Sequence, residues 1–172
     1  MQSISPETIF RGNHAWQKSL PQIIKLTKRP LVLGRGINTN KLRNKIFNDL
    51  KNKNLNVNFA NLKFDCCYED ISRVKNIILK NKNDSVIAAG GGKVLDSGKY
   101  IADSLNIHCI TVPLSASTCA GWTALSNIYT KGGQFIKDVA LGSCPKILVY
   151  DHKFIQTAPS RTLASGIADA LA

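Results

Sequence analysis

Apolar residues fall along the chain in two alternating kinds of run. Leu31-Val32-Leu33 is a short continuous run, entered through Pro30 and left through Gly34-Arg35-Gly36, and it predicts a buried strand. From about Asn40 to Asn52, Leu42, Ile46 and Leu50 recur every four residues, the stripe of an amphipathic helix. Leu55, Val57 and Phe59 alternate with asparagines, as in a half-buried strand, and Ile71, Val74, Ile77 and Ile78 return to helical spacing. Ser85-Val86-Ile87-Ala88-Ala89 reads as a third strand. A helix follows with Val94, Gly98, Ile101 and Leu105 on one face, then a fourth strand from Ile107 to Val112. Strands alternating with helices imply right-handed crossovers and a parallel sheet covered on both sides. After Pro113 the pattern changes. Ala124 to Thr130 and Gln134 to Leu141 flank Lys131-Gly132-Gly133, which predicts a β-hairpin, and Ile147 to Tyr150 form a further strand. Leu163, Ile167 and Leu171 place a helix from Ser160 to Ala172, with no stop signal, so the chain is expected to end inside an element.

Composition narrows the class of protein without identifying it. With 44% hydrophobic and 20% charged residues, the chain can bury a core. No apolar run approaches the roughly 20 residues of a membrane helix, and the N-terminus lacks a signal-peptide pattern. The five cysteines form no Cys-x-x-Cys pair and are odd in number, which suits a reducing, cytoplasmic setting. The net charge of +12 is concentrated in residues 1–83, which hold sixteen Lys/Arg against five Asp/Glu. Those cations are spread through Lys/Asn-rich stretches without aromatics or a recognition helix among them. No nucleic-acid partner is therefore expected.

The strongest chemical signal is Ala88-Ala89-Gly90-Gly91-Gly92-Lys93-Val94-Leu95-Asp96, three glycines between a buried strand and a helix. Such a loop lets backbone approach a ligand in conformations that side chains would block, and it directs free amides at a phosphate. It is neither a Walker A loop nor a Gly-x-Gly-x-x-Gly fingerprint, so the residues alone leave open a phosphate site or a tight turn. Gly34-Arg35-Gly36 also follows a strand but fails as a fingerprint at Thr39, and a plain turn is the simpler reading. Ser115-Ala116-Ser117-Thr118-Cys119 lies beyond the carboxyl end of the fourth strand, where an open parallel sheet binds ligands, though a polar connector would look the same. Asp169 stands on a helix otherwise lined by small apolar residues, where a carboxylate needs a partner. One carboxylate is not a metal site, and His14, His108 and His152 supply no convincing ligand set.

Taken in order, these segments resemble the N-terminal half of the iron-containing (group III) alcohol dehydrogenases, the glycerol dehydrogenase branch most closely. The resemblance rests on Gly90 to Asp96, Ser117-Thr118, Thr123 to Thr130, Cys144-Pro145 to Asp151, Ala158-Pro159-Ser160-Arg161 and Gly166 to Ala172.

The resemblance implies an α/β, Rossmann-like, doubly wound, mostly parallel sheet with a β-hairpin insertion. It places a dinucleotide-binding domain at residues 1–158 and the start of a helical metal-binding domain at 159–172, the remainder of that domain being absent. It implies an oxidoreductase that transfers hydride between a small alcohol and NAD or NADP, with zinc or iron in the full-length protein, assembled as a homo-oligomer. It assigns the pyrophosphate to Gly91, Gly92 and Lys93, further cofactor contacts to Ser117, Thr118, Thr123, Leu125 and Tyr129, and the metal aspartate to Asp169. The truncated chain alone is expected to be inactive. Cys119 stands where glycerol dehydrogenases hold an aspartate that touches the polyol, which favours a less polar or different alcohol, with Cys119 lining the substrate pocket. Arg35 stands where many members hold an aspartate for the adenosine ribose, and an arginine there favours NADP. Dehydroquinate synthase or glycerol-1-phosphate dehydrogenase relatives share the same plan, and a non-catalytic nucleotide-binding module is a further alternative.

Overall fold

The computed structural model describes residues 5–171. Strands β2 (Pro30–Arg35), β3 (Asn58–Leu62), β4 (Ser85–Gly90), β5 (His108–Pro113) and β8 (Ile147–Asp151) form a parallel sheet, which an N-terminal strand β1 (Thr8–Gly12) completes. The order is β1-β8-β5-β4-β2-β3, with every pairing parallel. Consecutive strands thus leave β2 and β4 in opposite directions, which makes the β2/β4 crevice the topological switch point of a doubly wound sheet. A separate antiparallel hairpin, β6 (Leu125–Tyr129) and β7 (Phe135–Ala140), forms the insertion the glycine pair at 132–133 predicts.

Side-chain alternation along the central strands divides the core into two layers. Leu31, Leu33, Val86 and Ala88 face helices α3 (Tyr68–Asn81) and α4 (Gly92–Ser104) together with Ile128 of the hairpin. Val32, Ile87, Ala89, Ile110 and Val149 face α1 (Ala15–Leu26) and α2 (Asn40–Lys51). A short helix, α5 (His152–Ile155), adds Phe154 to this second layer. Gly98 brings α4 onto β4, since a methyl group on it would fall 2.4 Å from Ala88 Cβ.

The structure corrects two local expectations and supplies elements where none was predicted. The strand placed at Leu55 to Phe59 runs instead from Asn58 to Leu62, the residues that pair with Leu31–Arg35 of β2, while the buried Leu55 belongs to the connection before them. The segment before Pro30 carries β1 and α1, whose Ala15, Trp16, Leu20 and Ile23 are buried at helical spacing despite Pro21. Pro21 lies on the exposed face of α1 and has no backbone N–H to donate to the preceding turn. Gly90, Gly91 and Gly92 all avoid positive φ, so the loop is not held by a backbone conformation reserved for glycine. What excludes side chains there is proximity: a methyl group on Gly90 would fall 2.8 Å from Val94 Cβ, and one on Gly92 3.2 Å from Thr118 Cγ2.

The last helix, α6 (Ser160–Leu171), buries none of its residues, and Leu163, Ile167 and Leu171 are all exposed. Among the described residues no helix is long and apolar enough to cross a membrane.

Candidate functional site

The carboxyl ends of β2 and β4 converge on a pocket of about 690 Å³, lined in part by Arg35, Gly36, Thr39, Gly90–Lys93 and Arg161. Its floor is the Gly91 N-terminus of α4. No side chain caps that helix, and the amides of Val94 and Leu95 are satisfied by the Gly91 carbonyl, at 3.0 and 3.1 Å. The earlier first-turn amides are thereby left for a ligand, and the helix dipole favours an anion there.

Arg43 braces the opposite wall from behind. Its guanidinium is buried and donates to the carbonyls of Arg35 and Gly36, both at 2.7 Å, and to Thr39 Oγ1 at 3.1 Å. It also lies 5.5 Å from the Phe59 ring centroid. Burial lowers its pKa, and donation to carbonyls rather than to a carboxylate leaves its charge uncompensated beside the pocket. Gly34 is glycine because a methyl group there would fall 2.2 Å from Arg43 Cδ, while Gly36, at φ +67°, turns the chain out of β2.

Asp65, just beyond β3, ties the pocket's cations together. Arg35 Nη2 lies 2.8 Å from Asp65 Oδ1, and Lys93 Nζ pairs with Oδ2. The Arg35 N–H is not directed at Oδ1, which is buried without a hydrogen-bond donor, so the contact there is ionic only. Lys93 also lies 5.1 Å from the Tyr129 ring centroid, which draws the hairpin to the pocket rim. Arg35 is 42% exposed and keeps part of its guanidinium free.

A second pocket, of about 410 Å³, lies between the Ser115–Cys119 loop, the end of β8 and α6. Thr118, Cys119, Trp122, Tyr150, His152 and Asp169 are among its lining residues. Thr118 lies between the two pockets: it lines this one, and a methyl group on Gly92 of the other would fall 3.2 Å from its Cγ2. The Asp169 carboxylate is exposed rather than buried, contrary to its apolar sequence surroundings, and accepts a long bond of 3.4 Å from the Cys119 amide. Among the described residues no group of three His, Cys, Asp or Glu side chains could hold a metal ion, so Asp169 does not complete a metal site here.

The structure therefore brings Arg35, Gly91, Gly92 and Lys93 together in one pocket and Thr118, Cys119 and Asp169 in the adjoining one. Ser117 hydrogen-bonds Ser115, 3.0 Å between hydroxyls. Thr123 and Leu125 face a buried lysine that sequence reasoning missed. Lys99 Nζ donates to Thr123 Oγ1 at 3.0 Å and to the Leu125 carbonyl, and pairs with Asp96 at 3.1 Å. Burial pushes the Asp96 carboxyl up, and Lys99 opposes that rise. This knot anchors the hairpin to α4, with Ser126 Oγ donating to the Asp96 carbonyl at 2.9 Å. Asp65, Arg43, Lys63 and Arg161 were also missed. Asp65, Arg43 and Lys63 belong to no local motif and are assembled by the crossovers, while Arg161 lies in the Ala158–Arg161 stretch, which does not by itself show that it reaches this pocket.

The family model for iron-containing alcohol dehydrogenases matches residues 6–152. An uncharacterised oxidoreductase of Synechocystis sp. is 37% identical over 171 residues, covering 99% of this chain and 44% of that protein. The glycerol dehydrogenase of Escherichia coli O6:H1 is 33% identical over 168 residues, covering 98% of this chain and 46% of that protein. The crystal structure of glycerol dehydrogenase from Schizosaccharomyces pombe superimposes with a TM-score of 0.85 at 32% identity, over 98% of this chain and 43% of that one. The chain spans less than half the length of these relatives.

Proposed function

The chain belongs to the iron-containing alcohol dehydrogenase family, and on that premise we propose that it is the nicotinamide-dinucleotide-binding part of an alcohol or polyol dehydrogenase. The observation that carries this reading is the uncapped α4 N-terminus at the switch point, facing a pocket whose charged lining side chains are all cationic. Gly91, Gly92 and Lys93 hold the pyrophosphate, and Thr118, beside Gly92, directs the far half of the molecule toward the second pocket. Ser117, Thr123, Leu125 and Tyr129 support that path, the last three through the hairpin that Lys99 and Lys93 fix. When bound, the nicotinamide supplies the hydride acceptor for alcohol oxidation.

Arg35 favours NADP over NAD. Its free guanidinium donors and charge suit a 2′-phosphate, although Asp65 neutralises part of that charge. Cys119, Trp122 and Tyr150 give the second pocket a less polar lining than an aspartate at position 119 would, so the substrate is a small alcohol less polar than glycerol. Asp169 is one donor toward zinc or iron in a full-length protein, residues 159–172 opening the domain that would complete the set. The working protein is a cytoplasmic homo-oligomer. Fluorescence titration of the chain with NADPH and NADH tests the reading: saturable micromolar binding with NADPH the tighter is expected, and no binding of either would overturn it.

A further inference from the structure

Helix α6 touches both pockets while burying nothing. Arg161, in its first turn, lines the dinucleotide pocket, and Gly166, Asp169 and Ala170 line the other. Its seat on the rest of the molecule includes two features, both on the Ala116–Cys119 loop. A methyl group on Gly166 would fall 1.7 Å from the Ala116 carbonyl oxygen, so helix and loop meet backbone to backbone. Asp169 Oδ2 accepts from the Cys119 amide at 3.4 Å. No side chain of α6 is buried among the described residues, so within them the helix is held by contacts such as these and by whatever its first turn grips.

That first turn presents a cation without a partner. Of the four cations lining the dinucleotide pocket, Arg35 and Lys93 share Asp65. Lys63 and Arg161 have no acidic partner among the described residues. Lys63 sits on the loop after β3, fixed by the bond from its amide to Asp70 at 2.7 Å. Arg161 alone belongs to an element that also borders the second pocket.

We infer that Arg161 is a phosphate-binding and positioning residue: an anion on the glycine loop draws Arg161 in and fixes α6, and so sets Asp169 against the Thr118–Cys119 loop. The inference rests on the dinucleotide reading above. Its physical content is that binding in one pocket orders a carboxylate in the other through a single loosely held helix, which lowers the entropy cost of whatever binds second.

Cys119 reports the effect, because its thiol is exposed while the other four cysteines are buried. The probe is ADP, which carries the diphosphate without the nicotinamide half and so cannot cover Cys119 directly. Saturating ADP should slow alkylation of Cys119 by iodoacetamide at least threefold in the wild-type chain. Arg161→Gln should bind ADP roughly tenfold more weakly, the loss of one charge-assisted bond, and at saturation should show no slowing. Arg161→Lys should restore part of both. Equal ADP affinity in Arg161→Gln, or undiminished protection of Cys119 at saturation, would overturn the inference and leave the dinucleotide reading intact. Failure of the wild-type chain to bind either ADP or NADPH would overturn both.

Discussion

Gly166 and Ala116 approach so closely that a single added methyl group would fall 1.7 Å from the Ala116 carbonyl oxygen. Among the described residues, no other glycine's added methyl group would meet the backbone of another segment so closely. Gly166→Ala should therefore lift α6 off the Ala116–Cys119 loop while leaving the core untouched, since the helix buries no residue. Global stability should change by less than about 1 kcal/mol, alanine's helical preference offsetting part of the lost contact. Amide exchange over residues 160–171 should accelerate at least tenfold, read by hydrogen-exchange mass spectrometry.

Lys99 is the opposite case, a buried cation at the centre of a fixed network. Lys99→Met would take its donated bonds from the Thr123 and Leu125 carbonyls and leave the Asp96 carboxylate with the Asn127 amide but no cation. Removal of one partner from a buried pair costs about 3–5 kcal/mol, and urea denaturation should show a loss of that order. Asp96→Leu combined with Lys99→Met should recover part of it.

At the other end of the sheet, Asp84 clamps the starts of β2 and β4. Burial alone would push its carboxyl up, but bonds donated by Thr27, Lys28 and Arg29 outweigh it and hold the pKa below the ordinary value. A carboxyl held low in the fold stabilises it at every pH above the unfolded value of about 3.9, and that stabilisation fades as pH falls through this value toward the folded one. Asp84→Asn should be less stable than wild type by about 1 kcal/mol at pH 7, a figure discounted for exposure. The gap should close below about pH 4.

Much of this architecture is legible in the sequence, for a physical reason. Strands β4, β5 and β8 are buried on both faces, so they appear as unbroken apolar runs, and α2, α3 and α4 carry clear stripes. Edge strands are harder to see. In β3 only Ala60 and Leu62 are buried, and the more conspicuous Leu55 and Val57 belong to the connection before it. β1 alternates half-buried with exposed residues, and Pro21 disguises α1. The glycine loop and Asp169 are contiguous motifs and could be found. Asp65 and Arg43 act only because the crossovers bring them to one switch point, a relation no local pattern encodes, and the stretch that contains Arg161 does not show that it reaches the same pocket.

Arg35 decides the cofactor through charge. Arg35→Asp should weaken NADPH binding roughly tenfold, the lower end for a charge-assisted bond on a partly exposed group, and should shift preference toward NADH. Arg35→Gln, which adds no carboxylate beside Asp65, should weaken NADPH binding and leave NADH within about threefold. The wild-type preference should shrink with added salt. Competitive titrations at two salt concentrations check all three.

The central claim is that the β2/β4 switch point, with its uncapped α4 N-terminus, receives the phosphates of a dinucleotide. Amide hydrogen exchange of the chain with and without saturating NADPH tests it most directly. Protection should appear in residues 90–95 and 35–39, the two segments that wall the pocket, and at Thr118, which links it to the second pocket. Saturable NADPH binding that leaves residues 90–95 unprotected, or that protects only segments away from the carboxyl ends of β2 and β4, would contradict the assignment.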